Sequence, residues 1–121
     1  MLKPGMLEID ALELRPGVVV FCLSGKLMMG LESASLESQV NSRLDAGACH
    51  LVFDLSQLKQ IDSTGIGRFI SAYNRIMQVG GSLAMAAAMP VVRQAFRVTR
   101  LDTVFKFYDT RDQAIAALPG D

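Results

Sequence analysis

The apolar positions of the chain change period several times, and each change predicts an element. From Met6 to Leu14, Leu7 and Ile9 alternate with Glu8 and Asp10, as on a half-buried strand. Leu12, Glu13 and Leu14 follow the opposite parity, which predicts a bulge or strand end near Ala11. Pro16-Gly17 reads as a tight turn, since proline presets its φ and glycine accepts a positive one. Val18 to Leu23 is continuously apolar and rich in β-branched residues, which suits a central strand covered on both faces. The two strands are expected to form an antiparallel hairpin.

A helical period follows over roughly Leu31 to Ala46, with Leu36, Val40 and Leu44 on one stripe and Gly47 placed to end it. Leu51 to Leu55 reads as a short strand. Thr64 to Val79 reads as a second helix, with Ile66, Phe69, Ile70, Tyr73 and Met77 on its buried face and Gly80-Gly81 as its stop. Ser82 to Ala86 is an alanine-rich strand of weak β propensity. Pro90 opens a third helix, Val91 to Thr99. Val104 to Tyr108 is the last strand, and Thr110 with Gln113 makes a capping box for a final helix to Leu118. Strand–helix–strand succession favours parallel pairs with right-handed crossovers. The expected fold is therefore α/β: a mixed sheet, with an N-terminal antiparallel hairpin and then parallel strands, packed with about four helices. The 121 residues fit one domain, 1–121.

Composition narrows the function. Twelve basic residues balance twelve acidic ones, so no global charge draws the chain to nucleic acid or an anionic membrane. No stretch approaches the ~18 apolar residues of a membrane span, and Met1-Leu2-Lys3-Pro4-Gly5 has no apolar run of a signal peptide. Cys22 and Cys49 have neither metal nor redox spacing and read as reduced, buried thiols. A protein of the reducing cytoplasm is expected.

The most informative segment joins Leu51-Val52-Phe53-Asp54-Leu55-Ser56 to Ile61-Asp62-Ser63-Thr64-Gly65-Ile66-Gly67. A buried strand ends, a short loop runs out and a polar turn enters a helix. Loops at the carboxyl ends of parallel strands are where sites are built. Ser63 and Asp62 read first as N-cap residues, with Gly65 and Gly67 letting the helix start approach the sheet. The same place could hold a phosphate on Ser63, favoured by the helix N-terminus and set beside the Asp62 carboxylate.

These residues resemble the STAS domain, shared by bacterial anti-sigma factor antagonists and the cytoplasmic tails of sulfate transporters. Further matches are Gly80-Gly81-Ser82-Leu83, Pro90-Val91-Val92-Arg93, Thr99-Arg100-Leu101-Asp102, Phe105 and Tyr108-Asp109-Thr110, so the resemblance runs from about Val18 to Leu118. It implies partner switching. The unmodified antagonist binds an anti-sigma factor that is also a serine kinase, phosphorylation at the position of Ser63 releases it, and a phosphoserine phosphatase resets it. It also implies partner contact through Asp62, Thr64, Gly65, Ile66 and Gly67, and through Lys26. At this last place the sequence departs from the family: antagonists often carry an acidic pair after the second strand, where this chain has Lys26 and Met28. A constitutive subunit of a larger sensory or lipid-transport assembly is the alternative. Met28 and Met29 either belong to that altered surface or pack under the first helix.

Other constellations carry less. Arg93, Arg97 and Arg100 fall at i, i+4, i+7 and read as a solvated basic stripe. Gly65-x-Gly67 lacks the third glycine of a dinucleotide fingerprint, because position 70 is Ile. His50, the single histidine, would have to serve any serine hydrolase built on Ser63, and it sits at a strand entrance. No metal or cofactor is expected, and no catalytic residue. Self-association is left open.

Overall fold

A computed structural model of the chain describes residues 7–119; Met6 and the residues read for a leader, 1–5, lie outside the described residues. Five strands form one sheet in the order β1 (Glu8–Arg15), β2 (Val18–Leu27), β3 (His50–Ile61), β4 (Ser82–Ala86), β5 (Phe107–Tyr108). β1 and β2 are antiparallel and the remaining pairs are parallel, as the hairpin and crossovers predict. Helices α1 (Leu31–Asp45), α2 (Ser63–Gln78) and α3 (Pro90–Val98) supply the connections, and α4 (Arg111–Ala116) follows β5.

The alternation of side chains along each strand divides the core in two. Val19, Phe21, Leu51, Phe53 and Met85 face α1, α2 and α3, which bury Leu36, Val40, Phe69, Ile76, Val92 and Phe96 against them. Edge and stacked aromatic contacts tie this face together: Phe21–Phe53 at 5.4 Å, Phe53–Phe69 at 5.2 Å and Phe69–Phe96 at 5.7 Å. Val18, Val20, Val52, Ala84 and Ala86 face the other way, under Ala114 and Leu118. The alanines of β4 are thus small because a helix rests on them, which offsets their weak strand propensity.

Four expectations need correction. The strand phase does not slip at Ala11. Ile9 and Ala11 pack inward, while Leu12 and Leu14 point outward with 52% and 41% exposure, and the register shift falls between Glu13 and Arg15. The two leucines mimic a buried parity on the open face of an edge strand. β3 does not stop at Leu55: it continues to Ile61, paired with β2 through Ser24–Gln57, Gly25–Leu58, Lys26–Gln60 and Leu27–Ile61. Two register irregularities absorb the polar residues and return Leu58 to the core. The buried stripe of α2 is Gly65, Phe69, Ala72 and Ile76, leaving Ile70 and Met77 exposed. Finally, Leu101–Thr103 is a 3-10 turn, so the last strand shrinks to Phe107–Tyr108.

Candidate functional site

Pairing with β4 ends at Asp54–Ala86, so the second half of β3 leaves the sheet with β2 as its only strand neighbour among the described residues. Its first support is Asp54, largely buried at 8% exposure. One carboxylate oxygen accepts from the Ser56 N–H at 3.0 Å, and the other accepts from Arg111 Nε at 2.9 Å. Arg111, the first residue of α4, also donates to Cys22 Sγ at 2.9 Å. Burial works against the charged carboxylate, but the Ser56 and Arg111 hydrogen bonds outweigh it and hold Asp54 below the usual range. Burial pushes the Cys22 thiol up, with Asp54 and Asp10 adding to it and Arg111 opposing. Cys22 and Cys49 are both free and half-buried, not fully buried.

At the far end of β3 the chain turns into α2. The cap is Asp62, with extended backbone (φ −116°, ψ −174°), and Ser63 is the first helical residue, exposed. The sequence offers both as cap residues; only the aspartate caps. Its Oδ1 accepts from the Gly65 N–H at 2.9 Å and its Oδ2 from the Met29 N–H at 3.0 Å. One side chain therefore fixes both the helix start and the β2–α1 loop, a link between residues 33 apart in sequence. Some burial opposes ionisation of Asp62, and the backbone N–H groups of Gly65, Met29 and Thr64 more than reverse it, so its carboxyl lies below the ordinary range.

The two glycines differ in role. A side chain at Gly65 would collide with the Leu27 carbonyl oxygen and come within 2.8 Å of Ile61 Cγ1, so the helix start lies directly on the ends of β2 and β3. A Cβ at Gly67 would meet nothing within 4 Å, and its φ is not positive. Gly67 is therefore not explained by close approach; it leaves a bare patch of helix one turn from Ser63.

The register Lys26–Gln60 and Leu27–Ile61 carries Lys26 to the same end of the molecule as Asp62, Ser63, Thr64 and Gly65. Ile66 is half-buried on the first turns of α2. Met28 and Met29 do not pack under α1: they are 38% and 81% exposed. The basic stripe breaks up. Arg93 lies over Phe107 at 5.5 Å and 3.6 Å from Asp109, while Arg100 falls beyond α3 in the left-handed region (φ 62°). His50 opens β3 and bonds Ser82 Oγ through Nδ1 at 2.7 Å, so the length of the strand separates it from Ser63 and the hydrolase pair does not form. Sequence reading missed the Met29 N–H on Asp62 and the Asp54–Arg111–Cys22 group; neither carries a local pattern. Among the described residues there is no cluster of metal-ligating side chains, and no helix is long and apolar enough to cross a membrane.

The family model for the STAS domain matches residues 11–114. The chain is 28% identical over 101 residues to a putative anti-sigma factor antagonist, BtrV, of Bordetella bronchiseptica, covering 84% of this chain and 86% of that one. It is 29% identical over 113 residues to an anti-sigma F factor antagonist of Paenibacillus polymyxa, covering 93% and 95%. Among solved structures, an anti-sigma factor antagonist from Mycobacterium paratuberculosis superposes with a TM-score of 0.81 at 25% identity over 98% of each chain. Unphosphorylated SpoIIAA superposes at 0.79 and 18% identity, covering 89% and 93%, a likeness of fold.

Proposed function

The chain belongs to the STAS domain family, and from that premise we propose that it is an anti-sigma factor antagonist acting by partner switching at Ser63. The observation that carries the reading is the setting of that serine. It is exposed at the first position of α2, immediately after a carboxylate that is already committed to two backbone N–H groups. In the unmodified state the N-terminal end of α2 and the β2–α1 loop form the surface that binds an anti-sigma factor serine kinase. The kinase transfers a phosphoryl group to Ser63 Oγ. The product carries a charge of about −1.5 to −2, partly welcomed by the helix N-terminus but set against Asp62, whose lowered pKa keeps it anionic. The docked face thus changes from neutral hydroxyl to dense negative charge without unfolding, and the partner leaves. A phosphoserine phosphatase restores the first state. The domain itself acts by binding, in the cytoplasm.

The test is binding of the host's anti-sigma factor kinase by wild type, Ser63→Ala and Ser63→Glu. Wild type and Ser63→Ala are expected to bind alike and Ser63→Glu at least tenfold more weakly. Equal binding by Ser63→Glu discards the switch. It would favour a constitutive subunit of a sensory or lipid-transport assembly, a reading supported by the exposure of Met29.

A further inference from the structure

The loop between β2 and α1, residues 28–30, is one of the two elements of the proposed partner surface, yet little within the loop fixes its course. Gly30, the N-cap of α1, has φ 152°, a backbone region that glycine enters and other residues rarely do. No side-chain cap bond closes the helix there. Met28 and Met29 are exposed, so burial does not hold them. The loop is held from outside, and both holds come from α2, the helix that begins with Ser63.

The first hold is the Asp62 carboxylate on the Met29 N–H. The second runs through Ser33, a buried hydroxyl at 1% exposure. Its Oγ donates to the Gly30 carbonyl at 2.9 Å and accepts from Arg68 Nε at 3.4 Å, so the buried group is satisfied as donor and as acceptor. Arg68 Nη1 also donates to Glu37 Oε2 at 3.3 Å. The serine helix therefore grips the loop at the N–H of Met29 and, by way of Ser33, at the C=O of Gly30. A second arginine joins the same two helices farther along: Arg75 donates to Asn41 Oδ1 at 3.0 Å and to Asp45 Oδ1 at 3.1 Å. It lies seven residues on, about 10 Å down α2 and away from the loop, and so offers a matched comparison.

We propose that Arg68 is a positioning residue: acting through Ser33, it preorganises the β2–α1 loop beside Ser63 for the anti-sigma factor kinase. The inference rests on the partner-switching reading and adds what keeps the second element of that surface in shape. A loop already held in its docked form loses less freedom on binding, so affinity depends on Arg68 without any contact from it. The chemistry at Ser63 is independent of this hold, because the start of α2 is fixed by Asp62 on the Gly65 N–H. The Arg68 bonds are long, so their loss weakens binding several-fold and does not abolish it.

The purified anti-sigma factor kinases of the native host would be assayed for phosphorylation of Ser63 in wild type, Arg68→Ala, Ser33→Ala, the R68A/S33A double variant and Arg75→Ala, each at a temperature where circular dichroism shows it folded. Arg68→Ala and Ser33→Ala are each expected to raise KM three- to tenfold with kcat within twofold. The double variant should be no worse than either single one, since both cut the same relay. Arg75→Ala should leave KM within twofold. Amide exchange at Met29 should quicken in Arg68→Ala and not in Arg75→Ala. Ser33 is too buried to touch a partner, so a loss confined to Arg68→Ala would mark direct contact and overturn the relay. Equal losses for Arg68→Ala and Arg75→Ala would reduce Arg68 to general helix packing and overturn it as well; both results leave partner switching standing. Failure of every kinase to phosphorylate wild type overturns both readings.

Discussion

The two parts of β3 do different work. From His50 to Leu55 the strand runs between β2 and β4 and carries Leu51, Val52, Phe53 and Leu55 with no exposed surface. From Ser56 to Ile61 it keeps one strand neighbour, drops only Leu58 fully into the core and ends on the helix that begins with Ser63. The first part is held by burial on both faces; the second is held by its pairing to β2 along one edge, by Leu58, and by polar bonds at its two ends, Asp54 and Asp62. A segment so held can display a changing surface while the sheet behind it stays fixed, which is what the proposed switching of partners without refolding requires.

That contrast can be broken at four points. Phe53→Ala removes a fully buried ring that contacts Phe21 and Phe69 and should destabilise the fold by about 3–5 kcal/mol in urea denaturation. Asp54→Asn removes the charged acceptor of Arg111 and should destabilise by about 1–3 kcal/mol, with faster amide exchange at 56–61 than in β4. Because the Asp54 carboxyl is lowered in the folded state, its contribution is complete above the unfolded pKa and is lost as pH falls through the folded one. The stability gap between wild type and Asp54→Asn should therefore be full at neutral pH and narrow below about pH 4. A gap that widens in acid would contradict the assignment.

Asp62→Ala deletes a helix cap, a loss of about 1 kcal/mol, and also frees the Met29 N–H. Its mark is local: exchange at Met29 and Gly65 should rise together, whereas a simple cap would loosen only α2. Gly67→Ala gives the smallest change in stability and the sharpest contrast. Replacing glycine in a helix interior stabilises by up to about 1 kcal/mol, and no packing opposes it. If the bare helix patch serves partner docking, thermal stability should rise while affinity for the anti-sigma factor falls. A rise in both would assign Gly67 no part in binding.

Much of the architecture was legible in the sequence because it depends on local rules. The Pro16-Gly17 turn, the stripe of Leu36, Val40 and Leu44, the Asp-Ser-Thr-Gly helix start and the Thr110–Gln113 cap are short-range patterns, and they place the hairpin, the crossovers and Ser63. Local pattern failed where a residue's environment comes from distant chain. Leu12 and Leu14 looked like core because nothing in the strand itself says that α4 does not reach them. The polar run after Leu55 looked like a loop because its partner strand lies some 30 residues earlier in the chain. The large apolar residues of α2 point to a stripe turned from its true buried face because Gly65, not a large apolar residue, is what touches β2.

The sequence by itself determined the order of the elements, the direction of the strands and the serine at the start of α2, since propensity, period and capping act within a few residues. Only the tertiary structure decided that Asp62 caps while Ser63 stands free of that task, that Gly65 is compelled by packing and Gly67 is not, and that Lys26, Met28 and Met29 share one exposed crest with the serine. Those facts arise from contacts between segments far apart in the chain, where hydrogen-bond geometry and excluded volume, not local preference, settle which side chain is buried, bound or presented.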